Sequence, residues 1–221
     1  MVKKIQKIKK EKRGAIMDIK TFVVGYIETN MYLIYEDKNG IIIDPGFTES
    51  EAESIIKKLK KEVSDILMVL LTHCHFDHIS GCDILKREFN SKIYCHRFDE
   101  EKLLDAQKNG ALFFGLSWNP LRPDGYLEDG EIINFGEHRL KILHTPGHTS
   151  GGISILLDNT YLFSGDTIFK DGIGRTDLYD GDYDVEINSI INKILILPAD
   201  TIIYPGHGMK TSVREEIKNF S

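Results

Sequence analysis

The sequence predicts an α/β fold in which two sheets pack face to face and carry helices on their outer sides. Three observations lead to it. Two β-rich stretches alternate with helical ones in the order β-rich, α, β-rich, α, a pattern that buries the apolar face of each element in a layered sandwich. The apolar run "DILMVLL" reads as a buried strand rather than a surface one. A chain of 221 residues is long enough for one sizeable core and too short for two typical domains with linkers.

Taken in order, "TFVVGY", "NMYLIYED" and "GIIIDPG" are three strands, rich in β-branched and aromatic residues and punctuated by turns. "TESEAESIIKKLKKEV" is an amphipathic helix with its acids first and its lysines last, which suits the helix dipole. The strand "DILMVLLT" follows, then a helix continuing through "HISGCDILKREFN", a short strand "SKIYCH" and a helix over "DEEKLLDAQKN". "GALFFGLSWNPLRPD" has no periodicity and reads as a loop covering something. The second β block is "EIINF", "HRLKILHT", "GGISILLD" and "TYLFSGD". A helix near "DVEINSIINKILIL", the strand "TIIYPG" and a last helix "TSVREEIKNF" close the chain.

Hydrophobic content of 41% and charged content of 28% are those of an ordinary globular protein. No apolar run of about 18 residues exists, so no membrane span is expected. The formal charge of −6 argues against a nucleic-acid partner. Residues 1–16 hold seven of the 28 Lys and Arg but one of the 34 Asp and Glu. This segment is expected to be a basic, flexible tail, and the domain proper to run as a single unit over residues 17–221. Cys74, Cys82 and Cys95 are odd in number and lack C-x-x-C spacing, which fits free thiols in a reducing cytoplasm. Cys74 points away from its histidine neighbours in an extended segment and is expected to be a buried bystander.

The chemistry is concentrated in "LLTHCHFDHISG". His73, His75, Asp77 and His78 fall within six positions at the end of a buried strand. Side chains two apart in an extended chain face the same way, so His73 and His75 can grip one ion. Asp77 and His78 sit in the turn beyond and can serve a second. Imidazole nitrogens and carboxylate oxygens suit zinc, and also iron or manganese. "HTPGHTSGG" adds His148, presented from a tight turn, with His144 either core or near the metal. "YLFSGDTIF" adds Asp166, whose two oxygens can bridge two cations, and "IIYPGHG" adds His207. A lone strand-end aspartate is usually a cap and a lone histidine usually surface. Together they give a consistent count: His73, His75 and His148 for one ion, Asp77, His78 and His207 for another, and Asp166 between. Asp44 of "IIIDPG" is either a plain turn residue or an acid that orients a ligand histidine. Arg175 and Asp177 of "GIGRTDL" form either a buried pair holding the loop or a substrate contact. Phe113, Phe114 and Trp118 form either a wall over the substrate or a satellite cluster under the loop.

These motifs, "IIIDPG", "THCHFDH", "HTPGHTSGG", "FSGDTIF" and "YPGHG", occur in the order found in the metallo-β-lactamase-fold superfamily, which the chain resembles from near Met17 to its end. The resemblance implies a four-layer αβ/βα sandwich with two metal ions, most often zinc, at one edge of the sheets. "GIGRTDL" and the ending "YPGHGMKTSVREEIKNF" are similar to the small glyoxalase II-like hydrolases. They imply hydrolysis of a small thioester, with Asp77 in a catalytic as well as a ligand role. Only a short helix follows His207, so the helical glutathione-binding region of full-length glyoxalase II has no counterpart. Lactonases and other ester hydrolases share the seven ligands. Persulfide dioxygenases share H-x-H-x-D-H and "GRTD" and would use one iron on His73, His148 and Asp166. In those proteins Asp usually follows the last histidine, where this chain has Gly208.

Overall fold

The computed structural model describes residues 17–220; the basic segment 1–16, expected as a tail, lies outside the described residues. One six-stranded sheet follows chain order: β1 (Met17–Val24), β2 (Thr29–Glu36), β3 (Asn39–Ile43), β4 (Asp65–Leu70), β5 (Lys92–Cys95) and β6 (Gly125–Tyr126). Helices α1 (Ala52–Glu62), α2 (Phe76–Ile79), α3 (Cys82–Phe89) and α4 (Glu100–Leu104) lie in its connections. The second sheet contains β7 (Ile132–Phe135), β8 (His138–His144), β9 (Ile153–Leu157) and β10 (Tyr161–Gly165). A two-stranded ribbon, β11 (Ile168–Phe169) and β12 (Gly172–Ile173), then precedes α5 (Tyr183–Ser189). The strands β13 (Ile202–Pro205) and β14 (Thr211–Ser212) complete the sheet, in the spatial order β7-β8-β9-β10-β13-β14, and α6 (Val213–Glu216) follows.

Alternation along the strands explains the layers. Tyr32, Ile34, Ile41 and Ile43 turn one way and meet Leu140, Ile142, Ile155 and Phe163 of the other sheet. Met31, Leu33 and Ile42 turn the other way and pack on Ile55 and Leu59 of α1 and on Leu85 of α3. On the far side Leu156, Leu162 and Ile203 pack on Ile190, Ile194 and Val213. Three buried layers between helices, sheet, sheet and helices make the expected αβ/βα sandwich.

The strand directions place the loops. β3, β4 and β5 are parallel, so their carboxyl ends share one edge. β8 and β10 both run antiparallel to β9, and β13 runs parallel to β10, so those three also end together. The two edges are tied where Asn30 N donates to Gly206 O at 2.7 Å.

Several expected elements are broken up, each for a local reason. The helix over "HISGCDILKREFN" splits into α2 and α3 around Ser80 and Gly81, where the Phe47 ring packs against Gly81 and leaves no room for a side chain. The helix over "DEEKLLDAQKN" is only α4. Its last carbonyls are taken by the following loop: Asn109 Nδ2 donates to Lys102 O at 2.9 Å, and Trp118 Nε1 to Leu103 O at 2.8 Å. The loop 110–124 contains a tight helical turn, Ala111–Phe114. The helix near "DVEINSIINKILIL" widens into a π-type turn at Ile190–Ile194. "TSVREEIKNF" begins as β14, continues as α6 and ends in a tighter turn.

Candidate metal centre

All seven residues expected at the centre converge at the shared strand edge. His73 and His75 come from the extended segment after β4, and Asp77 and His78 from α2 immediately beyond it. His148 follows β8, Asp166 follows β10, and His207 follows β13. His148 Nε2 lies 3.2 Å from His73 Nε2 and 2.9 Å from His75 Nδ1. His78 Nε2 lies 3.3 Å from His207 Nε2, and Asp77 Oδ2 is 3.2 Å from both. Asp166 spans the two groups. Its Oδ2 is 3.6 Å from His148 Nε2 and 3.5 Å from His207 Nε2, and its Oδ1 is 3.3 Å from His78 Nε2.

The partners on the far side of each ring decide which nitrogens offer lone pairs. His148 Nδ1 faces the Arg175 carbonyl at 2.6 Å and must carry the proton, so Nε2 is the bare nitrogen. His207 Nδ1 donates in the same way to Ile27 O at 3.1 Å. His78 Nδ1 donates to Asp44 Oδ2 at 2.9 Å. Thr72 Oγ1 gives its single proton to Asp44 at 2.6 Å and therefore accepts from His73 Nδ1 at 3.2 Å. With the rings neutral, as metal binding requires, four bare nitrogens point inward. Lone pairs facing each other at about 3 Å repel unless a cation lies among them. Asp166 Oδ1, though close to His78, has no hydrogen-bond donor. The donor set therefore fits metal ions: His73, His75 and His148 form one group able to hold an ion, and Asp77, His78 and His207 another.

The electrostatics of the metal-free chain divide the same way. Burial, reinforced by the neighbouring imidazoles, pushes His73 well below its ordinary range. Burial and His148 push His75 down to about 3, so these two rings stay neutral and open to a cation. Burial also opposes charge on His78, but Asp77, Asp166 and Asp44 outweigh it and hold the ring well above its ordinary range. His207 is raised against burial by Asp77 and Asp166. Asp77 is itself held well below the usual carboxylate range, because His78 and His207 overcome the effect of burial. Two carboxylates deep among these rings call for positive charge.

Asp44 is more than a turn residue. Its backbone sits at φ 52°, in the left-handed region, which aims the carboxylate back at β4. There Oδ1 accepts from Thr72 N at 2.8 Å while Oδ2 serves Thr72 Oγ1 and the His78 ring. An Asn amide at this position would set a donor against a donor. Asp44→Asn is therefore expected to weaken metal binding by about 10- to 100-fold with the fold retained, as read by competition with a chromophoric chelator.

Other expected residues are placed differently. Arg175 and Asp177 do pair, at 2.7 and 2.9 Å, but the pair is exposed, not buried. Both line the cavity over the centre, which measures about 460 Å³ and is also lined by Ile27, Phe76, Phe113, Phe114 and Leu178. Trp118 does not reach this cavity; it packs on the helix-side core with its indole N–H on Leu103 O. His144 stacks on His96 with ring centroids 4.1 Å apart and takes no part in the centre. Cys74 is buried in the helix-side core with Cys82 and Cys95, as free thiols.

Several supporting residues were not expected from the sequence, Thr72 among them. Thr29 Oγ1 donates to Asp77 Oδ2 at 2.9 Å. Glu186 Oε2 accepts from His148 N at 2.9 Å, and burial pushes this acid up to about 9. Glu186 lies four residues before Ile190 and eight before Ile194 on the buried stripe of the helix. An acid in an apolar stripe was the available signal.

The family model of the metallo-beta-lactamase superfamily matches residues 24–207. The hydroxyacylglutathione hydrolase GloC of Haemophilus influenzae is 37% identical over 204 residues, spanning 90% of this chain and 95% of its own. Among solved structures, the BLEG-1 B3 metallo-beta-lactamase superposes with a TM-score of 0.85 at 38% identity, covering 91% of this chain and 97% of its own. The di-iron-bound form of TTHA1623 superposes with a TM-score of 0.76 at 29% identity, covering 90% and 97%. With the layered fold, the strand-edge cluster and these matches in agreement, the chain belongs to the metallo-beta-lactamase superfamily.

Proposed function

We propose that the chain from Met17 onward is one domain that hydrolyses a small thioester at a binuclear metal centre. The observation that carries this reading is the complete donor set. Seven groups form two sets, with Asp166 reaching both and the ring tautomers fixed from behind. The hydroxyacylglutathione hydrolase relative supports the thioester class. Zinc is the first choice of metal and iron or manganese the alternatives; TTHA1623, which takes two irons, supports binuclear occupancy. Bound there, two divalent cations would activate a water near neutral pH and polarise the acyl carbonyl.

The chain's own residues do the rest. Asp77 lines the cavity as well as the cluster, and its carboxylate orients the attacking water. Thr29 fixes that carboxylate. Phe113 and Phe114 stand on a turn bracketed by Gly110 and Gly115 at φ 84° and 66°, with Phe114 packed on Phe76 at 4.7 Å. Phe113 is 79% exposed, a large apolar side chain left for a substrate to cover. Arg175 and Asp177, at the rim, contact the substrate's polar end. Among the described residues no helix is long and apolar enough to cross a membrane, and the three buried free thiols support a cytoplasmic setting.

The test is a substrate screen on the metal-loaded protein, with thiol release followed from S-D-lactoylglutathione and other acyl thioesters. Turnover of thioesters supports the reading. Oxygen uptake with a thiol persulfide on a single iron, or turnover of lactones alone, overturns it. In the same assay Phe113→Ala and Phe114→Ala are each expected to raise KM about tenfold with little change in kcat, because they remove binding shared by substrate and transition state.

A further inference from the structure

Asp99 and Lys102 are both completely buried, and neither belongs to the centre. Asp99 opens α4, in the layer of helices over the first sheet. All four of its bonds run to other backbone or side-chain donors. Oδ2 accepts from Cys74 N at 2.7 Å and from Thr149 Oγ1 at 3.1 Å. Oδ1 accepts from Gly151 N at 3.0 Å and from Lys102 Nζ at 3.0 Å. Cys74 lies between His73 and His75, and Thr149 follows His148. One carboxylate therefore ties together the two loops that carry the three-histidine group, from opposite sheets. Lys102 extends the tie, donating to Asp180 Oδ2 at 2.6 Å, which also accepts from Ser150 Oγ at 2.6 Å. Asp180 belongs to the loop whose Arg175 carbonyl fixes the His148 ring.

The other half of the centre is held by different means. Asp77 is fixed by Thr29, His78 by Asp44 and His207 by the Ile27 carbonyl. The bonds of Asp99 and Lys102 reach none of these three.

We propose that Asp99, anchored by Lys102, is the positioning residue of the three-histidine half alone, setting the spacing of His73 and His75 against His148 and hence the affinity of that one site. The proposal rests on the metal-centre reading above. A buried ion pair is weak support for stability in itself and is often replaceable by apolar residues. Its use here is the joining of two loops whose ligands must meet within a few tenths of an ångström. An Asn at this position cannot serve, because whichever oxygen becomes NH2 then faces two donors.

The experiment is stepwise zinc titration of the full-length metal-free protein, with affinities from chelator competition and folding checked by circular dichroism. Asp99→Asn is combined with His207→Ala, which leaves the three-histidine site, and separately with His148→Ala, which leaves the other. In the first background Asp99→Asn is expected to lower affinity by about 10- to 100-fold. In the second the change is within about twofold, as for independent sites. Thr149→Val removes one of the four bonds with almost no change in shape. It should lower affinity by about three- to tenfold in the first background only, and it carries the test if Asp99→Asn does not fold. Equal weakening in both backgrounds, or no weakening by either variant, overturns the proposal. A wild-type protein that takes up no metal overturns the metal-centre reading instead, so the two failures are distinguishable.

Discussion

His75→Ala is expected to lose thioester hydrolysis by about three orders of magnitude while keeping its fold. A cation that polarises a carbonyl stabilises the transition state by several kcal/mol, and each ~1.4 kcal/mol is tenfold in rate. Removing one nitrogen of the three-histidine group forfeits most of that at about 4 kcal/mol. The fold should survive, because His75 belongs to neither sheet and its Nε2 already lacks a partner. Steady-state kinetics at saturating zinc, with circular dichroism as the control, gives the result. Wild-type activity in the folded variant would remove His75 from the mechanism.

Stripping the metal is expected to cost the protein much of its thermal stability. In the metal-free chain, bare imidazole nitrogens approach one another at about 3 Å and Asp166 carries an oxygen without a donor. A ligand that binds only the native state stabilises it by mass action, by about 4 kcal/mol at a thousand times its Kd. For a chain of this size that corresponds to roughly 10 °C in Tm. Calorimetry before and after chelation should show this drop and its recovery on adding zinc. His75→Ala should recover only in part. An unchanged Tm would mean that the cluster does not hold ions in the native state.

The donor cluster was legible in the sequence because the donors sit in short motifs whose geometry is local. His73 and His75 are two apart in an extended segment, Asp77 and His78 sit in the turn just beyond it, and His148, Asp166 and His207 each follow a strand beside glycine or proline. Strand-end position therefore implied convergence, which the parallel runs of β3 to β5 and of β8, β10 and β13 deliver. What supports those donors was not legible, because it is reached across the fold. Asp99 meets Cys74 and Thr149 at separations of 25 and 50 residues, and Glu186 meets His148 at 38. Nothing in "HRFDEEKLL" distinguishes a buried clamp from an ordinary helix cap. Trp118 shows the converse. An aromatic in an aperiodic loop can face substrate or core, and its indole N–H was drawn to a carbonyl at the end of α4. The Arg175–Asp177 pair was legible from adjacency, whereas its exposure depended on how the loop turns over the cavity.

The most direct measurement of the central claim is anomalous X-ray diffraction at the zinc and iron edges, on crystals of protein purified without added metal. Two ions per chain are expected. One lies among His73 Nε2, His75 Nδ1 and His148 Nε2, the other among Asp77, His78 Nε2 and His207 Nε2, and Asp166 reaches both. A single ion held by His73, His148 and Asp166, with the other group empty at saturating metal, would contradict it.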